Sequence, residues 1–169
     1  MKFALIAPLA IAVAVPAAAA GPTDPQIAHI AYTAGVIDVA AGKQALAKSH
    51  NKTVRAFAEE MVRDHKAVND KALELVKKLG VTPQDNPTSQ ALAKDGAAKL
   101  KQYAALDGKA FDRAYVQNEI AYHKTVNGAL EHTLIPDAQN EQLKKLLETG
   151  LELFTQHQHH AEHVAEQIH

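Results

Sequence analysis

The chain lacks cysteine altogether, and it contains serine at only two positions, Ser49 and Ser89. The absence of cysteine excludes disulfide bonds, thiolate metal ligands and a lipid anchor attached through a thiol. A mechanism based on a covalent nucleophile therefore has few candidate residues. The sequence also contains no Gly-x-Ser-x-Gly, P-loop or Gly-x-Gly-x-x-Gly pattern. No motif identifies an enzyme, although any histidine–carboxylate pair can in principle act in acid–base chemistry.

Charges of the two signs are nearly balanced, with 18 lysine and arginine residues against 19 aspartate and glutamate residues. This balance offers no electrostatic attraction for nucleic acid or for an anionic lipid surface. The chain has 10 histidines, however, so acidification through about pH 6 would make it strongly positive. A pH sensor is one function that this composition permits.

The N-terminal segment has the pattern of a bacterial secretory signal. A lysine precedes an apolar run, and small residues then lead to an Ala18-x-Ala20 cleavage pattern. The run is shorter than the roughly 20 residues that a membrane-spanning helix needs. We therefore expect residues 1–20 to be removed and residues 21–169 to form one domain. This domain would have no transmembrane segment and would reside in the periplasm, at the outer membrane or outside the cell.

The remainder of the chain has the spacing of helices. No stretch alternates apolar and polar residues as a strand does, and helix-forming residues dominate. Capping residues, glycines and prolines predict five segments, at about 24–48, 52–79, 88–105, 109–134 and from Pro136 nearly to the C-terminus. The sequence therefore predicts an all-α fold. Because short connections make neighbouring helices antiparallel, its architecture would be an up-and-down four-helix bundle with the third helix as a shorter addition.

One histidine on each of three predicted helices occupies a position where a core residue belongs. His65 and His157 lie on apolar stripes of the second and last helices, and His123 lies on the fourth. The three lie at similar distances from corresponding helix ends, so their rings are expected at one level of the bundle. Bundle cores are where such folds hold metal ions and cofactors. We therefore predict that the three imidazoles meet at a binding site.

Two carboxylates are lesser candidates for the same site. Glu119 is one turn before His123, and Asp38 lies at the edge of the apolar stripe of the first helix. Asp64 precedes His65 and is expected to point sideways. Three histidines, or two histidines and a carboxylate, suit a divalent transition metal such as zinc, iron or copper. The alternative is that each histidine is neutral, hydrogen-bonded within the core and holds no ligand.

The last helix ends in a histidine-rich stretch. His159 and His163 are four residues apart, and His160 and His163 are three residues apart. Either pair can chelate a divalent ion from one helix face. The stretch is interpreted either as a second metal site on the surface or as a polar helix face in solvent.

The chain after the predicted signal resembles a bacterial family of exported proteins of unknown function. The residues that carry this resemblance are Arg55-Ala56-Phe57-Ala58, Met61-Val62, Asp64-His65, Phe111-Asp112-x-x-Tyr115-Val116, His123 and His157. Members have a ferritin-like four-helix core and are often labelled predicted outer membrane proteins. The resemblance therefore implies a ferritin-like bundle and an exported location, and it implies no particular chemistry.

The ferritin-like comparison also reveals a difference from di-iron proteins. Their sites use a Glu-x-x-His motif on two helices, whereas Val62 and Phe154 stand three residues before His65 and His157. Ferroxidase or oxygenase chemistry is therefore disfavoured. A mononuclear metal, or haem or another flat ligand held by a histidine, is favoured instead. Two functions follow: a metal- or cofactor-binding protein, or a structural or stress-related module that contacts other proteins of the cell envelope.

Overall fold

The computed structural model describes residues 21–168, so the predicted signal at residues 1–20 and the final His169 lie outside the described residues. The all-α prediction is confirmed for the described part, which contains no strand. Its elements are α1 (Asp24–Lys48), α2 (Lys52–Leu79), α3 (Pro87–Ala104), α4 (Gly108–Ala129), a π-helical segment (Leu130–Leu134), α5 (Ile135–Asp137) and α6 (Glu141–Gln167).

The ends of α2 follow from local chemistry. The Asn51 side chain accepts hydrogen bonds from the backbone N–H groups of Thr53 and Val54, at 2.9 and 3.2 Å, and this cap fixes the start of the helix. The helix ends at Gly80, whose φ of 63° lies in the left-handed region that favours glycine. The predicted bounds of this helix therefore agree with the structure.

The last long helix does not begin at Pro136, and that prediction is wrong. The chain continues from α4 through the π-helical segment into α5, whose first turn contains Pro136. The long helix α6 begins at Glu141, because the Asn140 side chain accepts hydrogen bonds from the N–H groups of Gln142 and Leu143 at 3.0 and 3.1 Å. Proline suits the first turn of any helix, and the asparagine cap marks the longer one.

Four of the long helices contact one another in a closed cycle. Helix α1 packs against α2, α2 against α6, α6 against α4, and α4 against α1, while α3 lies against α1. The core inside this cycle has two apolar clusters, one around Phe57 and Tyr115 and the other around Leu147 and Phe154. Each of the four helices passes from one cluster to the other through buried polar residues. We call this set the polar layer: Asp38, His65, Glu119, His123 and His157.

Helices α1 and α2 approach closely at Gly42. A Cβ atom at this position would lie 2.8 Å from Val62 Cγ2 and 3.1 Å from the backbone oxygen of Ala58. The backbone oxygen cannot move aside as the end of a flexible side chain can, so glycine is what permits this approach. The contact brings Asp38, one turn earlier on α1, next to the polar residues of α2.

We expect Gly42→Ala to lower the free energy of unfolding by about 1–3 kcal/mol, because the added methyl group overpacks the interface. Gly128→Ala in α4 is the matched control, since no packing neighbour among residues 21–168 lies within 4 Å of a Cβ atom there. The control should raise the free energy of unfolding by about 0.5–1 kcal/mol, because glycine weakens a helix. Urea unfolding measures both changes. Similar stabilisation by the two substitutions would contradict the close approach of α1 and α2.

Candidate metal centre

The side chains of His65, His123 and His157 meet inside the polar layer. The ring centroids are 5.5 Å apart for His65 and His123, 5.2 Å for His65 and His157, and 5.5 Å for His123 and His157. The residues are 2%, 1% and 0% exposed, respectively. One nitrogen of each ring lies within 4.8 Å of one nitrogen of both others. We call this group the histidine centre.

The hydrogen bond of His123 determines which of its nitrogens faces the centre. Its Nδ1 lies 3.0 Å from the backbone oxygen of Glu119 and donates a hydrogen bond to it. In the neutral ring the Nε2 atom then carries the lone pair. This Nε2 lies 3.3 Å from His65 Nε2. A histidine that donates through one nitrogen to a carbonyl group and presents the other is the usual arrangement of a metal ligand.

His157 has an equivalent partner on the outer side of the layer. Its Nε2 lies 3.2 Å from Asp64 Oδ2 and donates a hydrogen bond to this carboxylate. Asp64 is held in turn by Arg63, whose Nε and Nη2 atoms donate to it at 2.7 and 3.0 Å. The Nδ1 atom of His157 is buried and has no hydrogen-bond partner among residues 21–168. The lone pair of this nitrogen is therefore available to a metal ion.

Asp38 and Glu119 add two buried carboxyl groups beside the rings. Asp38 Oδ2 lies 3.4 Å from His65 Nε2, and both side chains are 3% exposed. Burial raises the pKa of Glu119 well above its ordinary value, and the negative charge and hydrogen bond of Asp38 raise it further. The surroundings of Glu119 therefore favour its protonated form, which can donate a hydrogen bond to Asp38. Asp38, Glu119 and His123 also form a group of possible ligand atoms within 4.8 Å.

Burial also favours the neutral form of two of the imidazoles, those of His65 and His157. It lowers the pKa of His65 to about 4, and the nearby carboxylate of Asp38 opposes this effect only in part. The pKa of His157 is lowered as well, chiefly by burial and against the hydrogen bond to Asp64. Neutral rings are the form that binds a metal ion. The rings of His65 and His157 are therefore in the form that binds a metal ion at neutral pH.

The distances around His65 suit a tetrahedral ion. Metal–ligand bonds of about 2.0–2.1 Å place the ligand atoms of a tetrahedron about 3.3–3.4 Å apart. His65 Nε2 lies 3.3 Å from His123 Nε2 and 3.4 Å from Asp38 Oδ2. The pair of histidine nitrogens thus has the length that one edge of the site requires, whereas Asp38 does not join the three histidines in one group of possible ligand atoms among residues 21–168.

A group that sequence reasoning missed lies just outside the histidine centre. Glu60, Asp64 and His157 also place ligand atoms within 4.8 Å of one another, and Glu60 Oε2 is 2.7 Å from His160 Nδ1. A sequence signal for this group exists. The two carboxylates are four residues apart on α2, and the two histidines are three residues apart on α6, so each pair shares a helix face.

The histidines near the C-terminus are not gathered into one group. His160 turns toward Glu60, whereas His163 Nδ1 lies 3.6 Å from Glu166 Oε2. His159 and His163 are exposed. Among residues 21–168, no group of three possible metal ligands includes His159, His160 or His163. A surface site at these residues stays a prediction that rests on helical spacing alone.

Within the described range, none of the helices combines the length and apolar character that a membrane span requires.

Comparison with known proteins places the chain in a family but supplies no activity. No curated protein and no solved structure matches the chain. The family model described as a domain of unknown function, DUF4142, matches residues 10–164. Because that match covers most of the sequence, the chain belongs to the DUF4142 family.

Proposed function

We propose that this protein binds a single divalent transition metal ion, with zinc, iron and copper as the candidates, through His65, His123 and His157. The observation that carries the proposal is the meeting of three buried imidazoles between the two apolar clusters of the core. A polar layer of this kind is costly unless its groups are satisfied. A metal ion satisfies the free lone pairs of the rings together.

Each residue of the layer has a distinct part in this proposal. His123 binds through Nε2 and His157 through Nδ1, because their other nitrogens are hydrogen-bonded to the Glu119 carbonyl oxygen and to Asp64. Asp38 lies beside His65, and its charge offsets part of the charge of the ion. Glu119 and Asp64 act from outside the ligand set, where hydrogen bonds orient the ligands and tune their affinity.

A structural role is the second candidate function. Each of the three rings already has at least one polar neighbour inside the fold, including the 3.3 Å contact between His65 Nε2 and His123 Nε2. A polar layer held together in this way can specify how the helices align without binding an ion. In this case the protein would be a structural or stress-related module whose exposed helix faces contact other envelope proteins.

The cellular setting belongs to the same proposal. We infer that the chain is exported through the signal at residues 1–20, and that the helices form a ferritin-like four-helix arrangement with α3 as the addition. The closed cycle of contacts among α1, α2, α4 and α6 supports this arrangement. The absence of the paired Glu-x-x-His motif distinguishes the proposed mononuclear site from the di-iron sites of ferritin-like enzymes.

Metal analysis of untagged protein, purified without a nickel column, tests the proposal. After treatment with a chelator and reloading with zinc, we expect one ion per chain in the wild type. The His65→Ala/His157→Ala variant should lose the ion, with an affinity at least about a hundredfold lower. The matched control is His159→Ala/His163→Ala, which removes two exposed imidazoles and should keep it. Equal, substoichiometric metal in the wild type and in the His65/His157 variant would exclude the metal function.

A further inference from the structure

A cavity of about 520 Å³ lies in the second apolar cluster, on the opposite side of Phe154 from the histidine centre. Its size falls within the range of about 300–1,000 Å³ that small-molecule sites occupy. Its apolar wall is built from several helices and includes Val68, Leu92, Leu130, Leu134, Leu143 and Leu147. The cavity is partly open to solvent, where exposed residues such as Thr88 and Thr133 line it, so a ligand has a route into it.

The sequence creates this space in two ways. Small residues, Ala31, Ala34 and Ala72, line the cavity from α1 and α2, where larger apolar residues would fill it. The opposite wall contains the π-helical segment Leu130–Leu134, which interrupts the regular helix. Such π-helical turns are rare, and they occur frequently at functional sites.

The chemistry of the wall favours an uncharged ligand. No side chain that lines the cavity carries a charge at neutral pH, and Gly21, which becomes the N-terminus if the signal is removed, lies against the Asp137 carboxylate, which offsets the charge of its α-amino group. A carboxylate, phosphate or ammonium group inside it would therefore be buried without a partner, at a high cost in free energy. An aliphatic or aromatic molecule, in contrast, gains from leaving water in proportion to its apolar area.

Two of the polar side chains that line the cavity are buried, those of Asn69 and Asn86, and that of Asn69 is available for recognition. Asn86 also lines the cavity, but its carboxamide is engaged as the cap of α3, where it accepts from Ser89 N–H at 3.1 Å and donates to the Gln84 oxygen at 3.0 Å. Asn69 is only 8% exposed and lines the same cavity. Within residues 21–168, its carboxamide forms no hydrogen bond. This amide lies against Gly35, where a Cβ atom would come within 2.3 Å of Asn69 Oδ1.

We propose that the cavity binds a neutral, elongated apolar molecule that carries one hydroxyl or carbonyl oxygen. The apolar part occupies the space among the leucines, and the oxygen accepts a hydrogen bond from the Asn69 amide. Phe154 separates the ligand from the histidine centre, since its ring stacks on His65 with centroids 4.5 Å apart and an interplanar angle of 12°. The proposal does not depend on a metal ion at that centre.

Titration of the full chain with the neutral fluorescent probe N-phenyl-1-naphthylamine tests this inference, with a chelator present to keep metal out of the measurement. We expect saturable binding of one probe per chain. Decanol should displace the probe, whereas decanoate, which has the same chain length and a negative charge, should displace it at least tenfold less well. Asn69→Leu should weaken displacement by decanol several-fold and leave probe binding in place.

Ala72→Phe fills the cavity and should weaken probe binding at least tenfold, while Ala56→Phe adds the same ring at an exposed position of α2 and should have no effect. Ala31→Leu, on α1, is a second filling variant in case Ala72→Phe does not fold. Thermal unfolding monitors the fold of each. No saturable probe binding by the wild type, or equal binding by a folded filling variant, would overturn the proposal. Equal displacement by decanol and decanoate would overturn the assignment of a neutral ligand.

Discussion

Zinc is expected to raise the Tm of the wild-type protein by roughly 5–11 °C when its free concentration is about a hundred times Kd. Binding to the folded state alone contributes about 2.7 kcal/mol under this condition, and 1 kcal/mol shifts the Tm of a domain of this size by about 2–4 °C. His65→Gln should abolish the shift. Glutamine removes a ring nitrogen from the centre but keeps an amide that can hydrogen-bond to Asp38.

Calorimetry of the wild type, His65→Gln and a control with His159→Gln and His163→Gln checks this expectation. The control should keep the full shift, because its imidazoles are exposed and lie outside the histidine centre. Chelator added to the zinc-loaded wild type should reverse the shift. If the three buried histidines have only a structural role, zinc should change the Tm of none of the three proteins, or should change the Tm of all three equally.

The second large effect is a loss of stability in acid that depends on His65. We expect the free energy of unfolding of metal-free wild type to fall by about 3 kcal/mol relative to His65→Gln between pH 7 and pH 4. Burial lowers the pKa of His65 to about 4, against 6.5 for an ordinary histidine. Below pH 6.5 the unfolded chain therefore takes up a proton that the folded protein does not accept. Stability is lost as the pH falls through this range, and the loss levels off below about pH 4.

Urea unfolding in the presence of chelator, at a series of pH values, measures the difference between the two proteins. The two proteins are compared because the titration of Glu119 changes the free energy of unfolding with pH in the direction opposite to that of His65. The raised pKa of Glu119 means that the folded protein keeps a proton that the unfolded chain releases, so this contribution grows as the pH falls. It is common to the wild type and the variant and largely cancels. A difference that does not change with pH would contradict the burial of a neutral imidazole at position 65.

The helices were predictable because their signals are local. Asn51 and Gly80 mark the ends of α2 through side-chain capping and a left-handed φ, both of which depend on only a few neighbouring residues. The start of the last long helix was wrongly predicted at Pro136, because a proline suits the first turn of the three-residue α5 as well as that of a long helix. The π-helical segment before it has no signal in the apolar spacing, which still reads as one helix.

The convergence of the three histidines was predictable from the sequence. His65 and His157 continue apolar stripes of period 3.6, so their burial follows from spacing, and similar distances from helix ends place them near His123. The hydrogen-bond partner of each ring could not be predicted from the sequence. Asp64 was expected to point sideways, but it receives the hydrogen bond of His157, because α2 and α6 pack so that the two side chains face each other.

The amino-acid sequence by itself determined the helices and the presence of a polar layer in the core. Both follow from hydrogen bonds and a 3.6-residue period within single helices, which involve only residues that are close in the chain. The choice of nitrogen on each ring, the raised pKa of Glu119 and the space beside Phe154 arose only when the helices packed. They depend on distances between residues such as Asp38 and His65, which are far apart in the chain. Capping and periodicity carry no information about those distances, so the chemistry of the layer belongs to the tertiary structure.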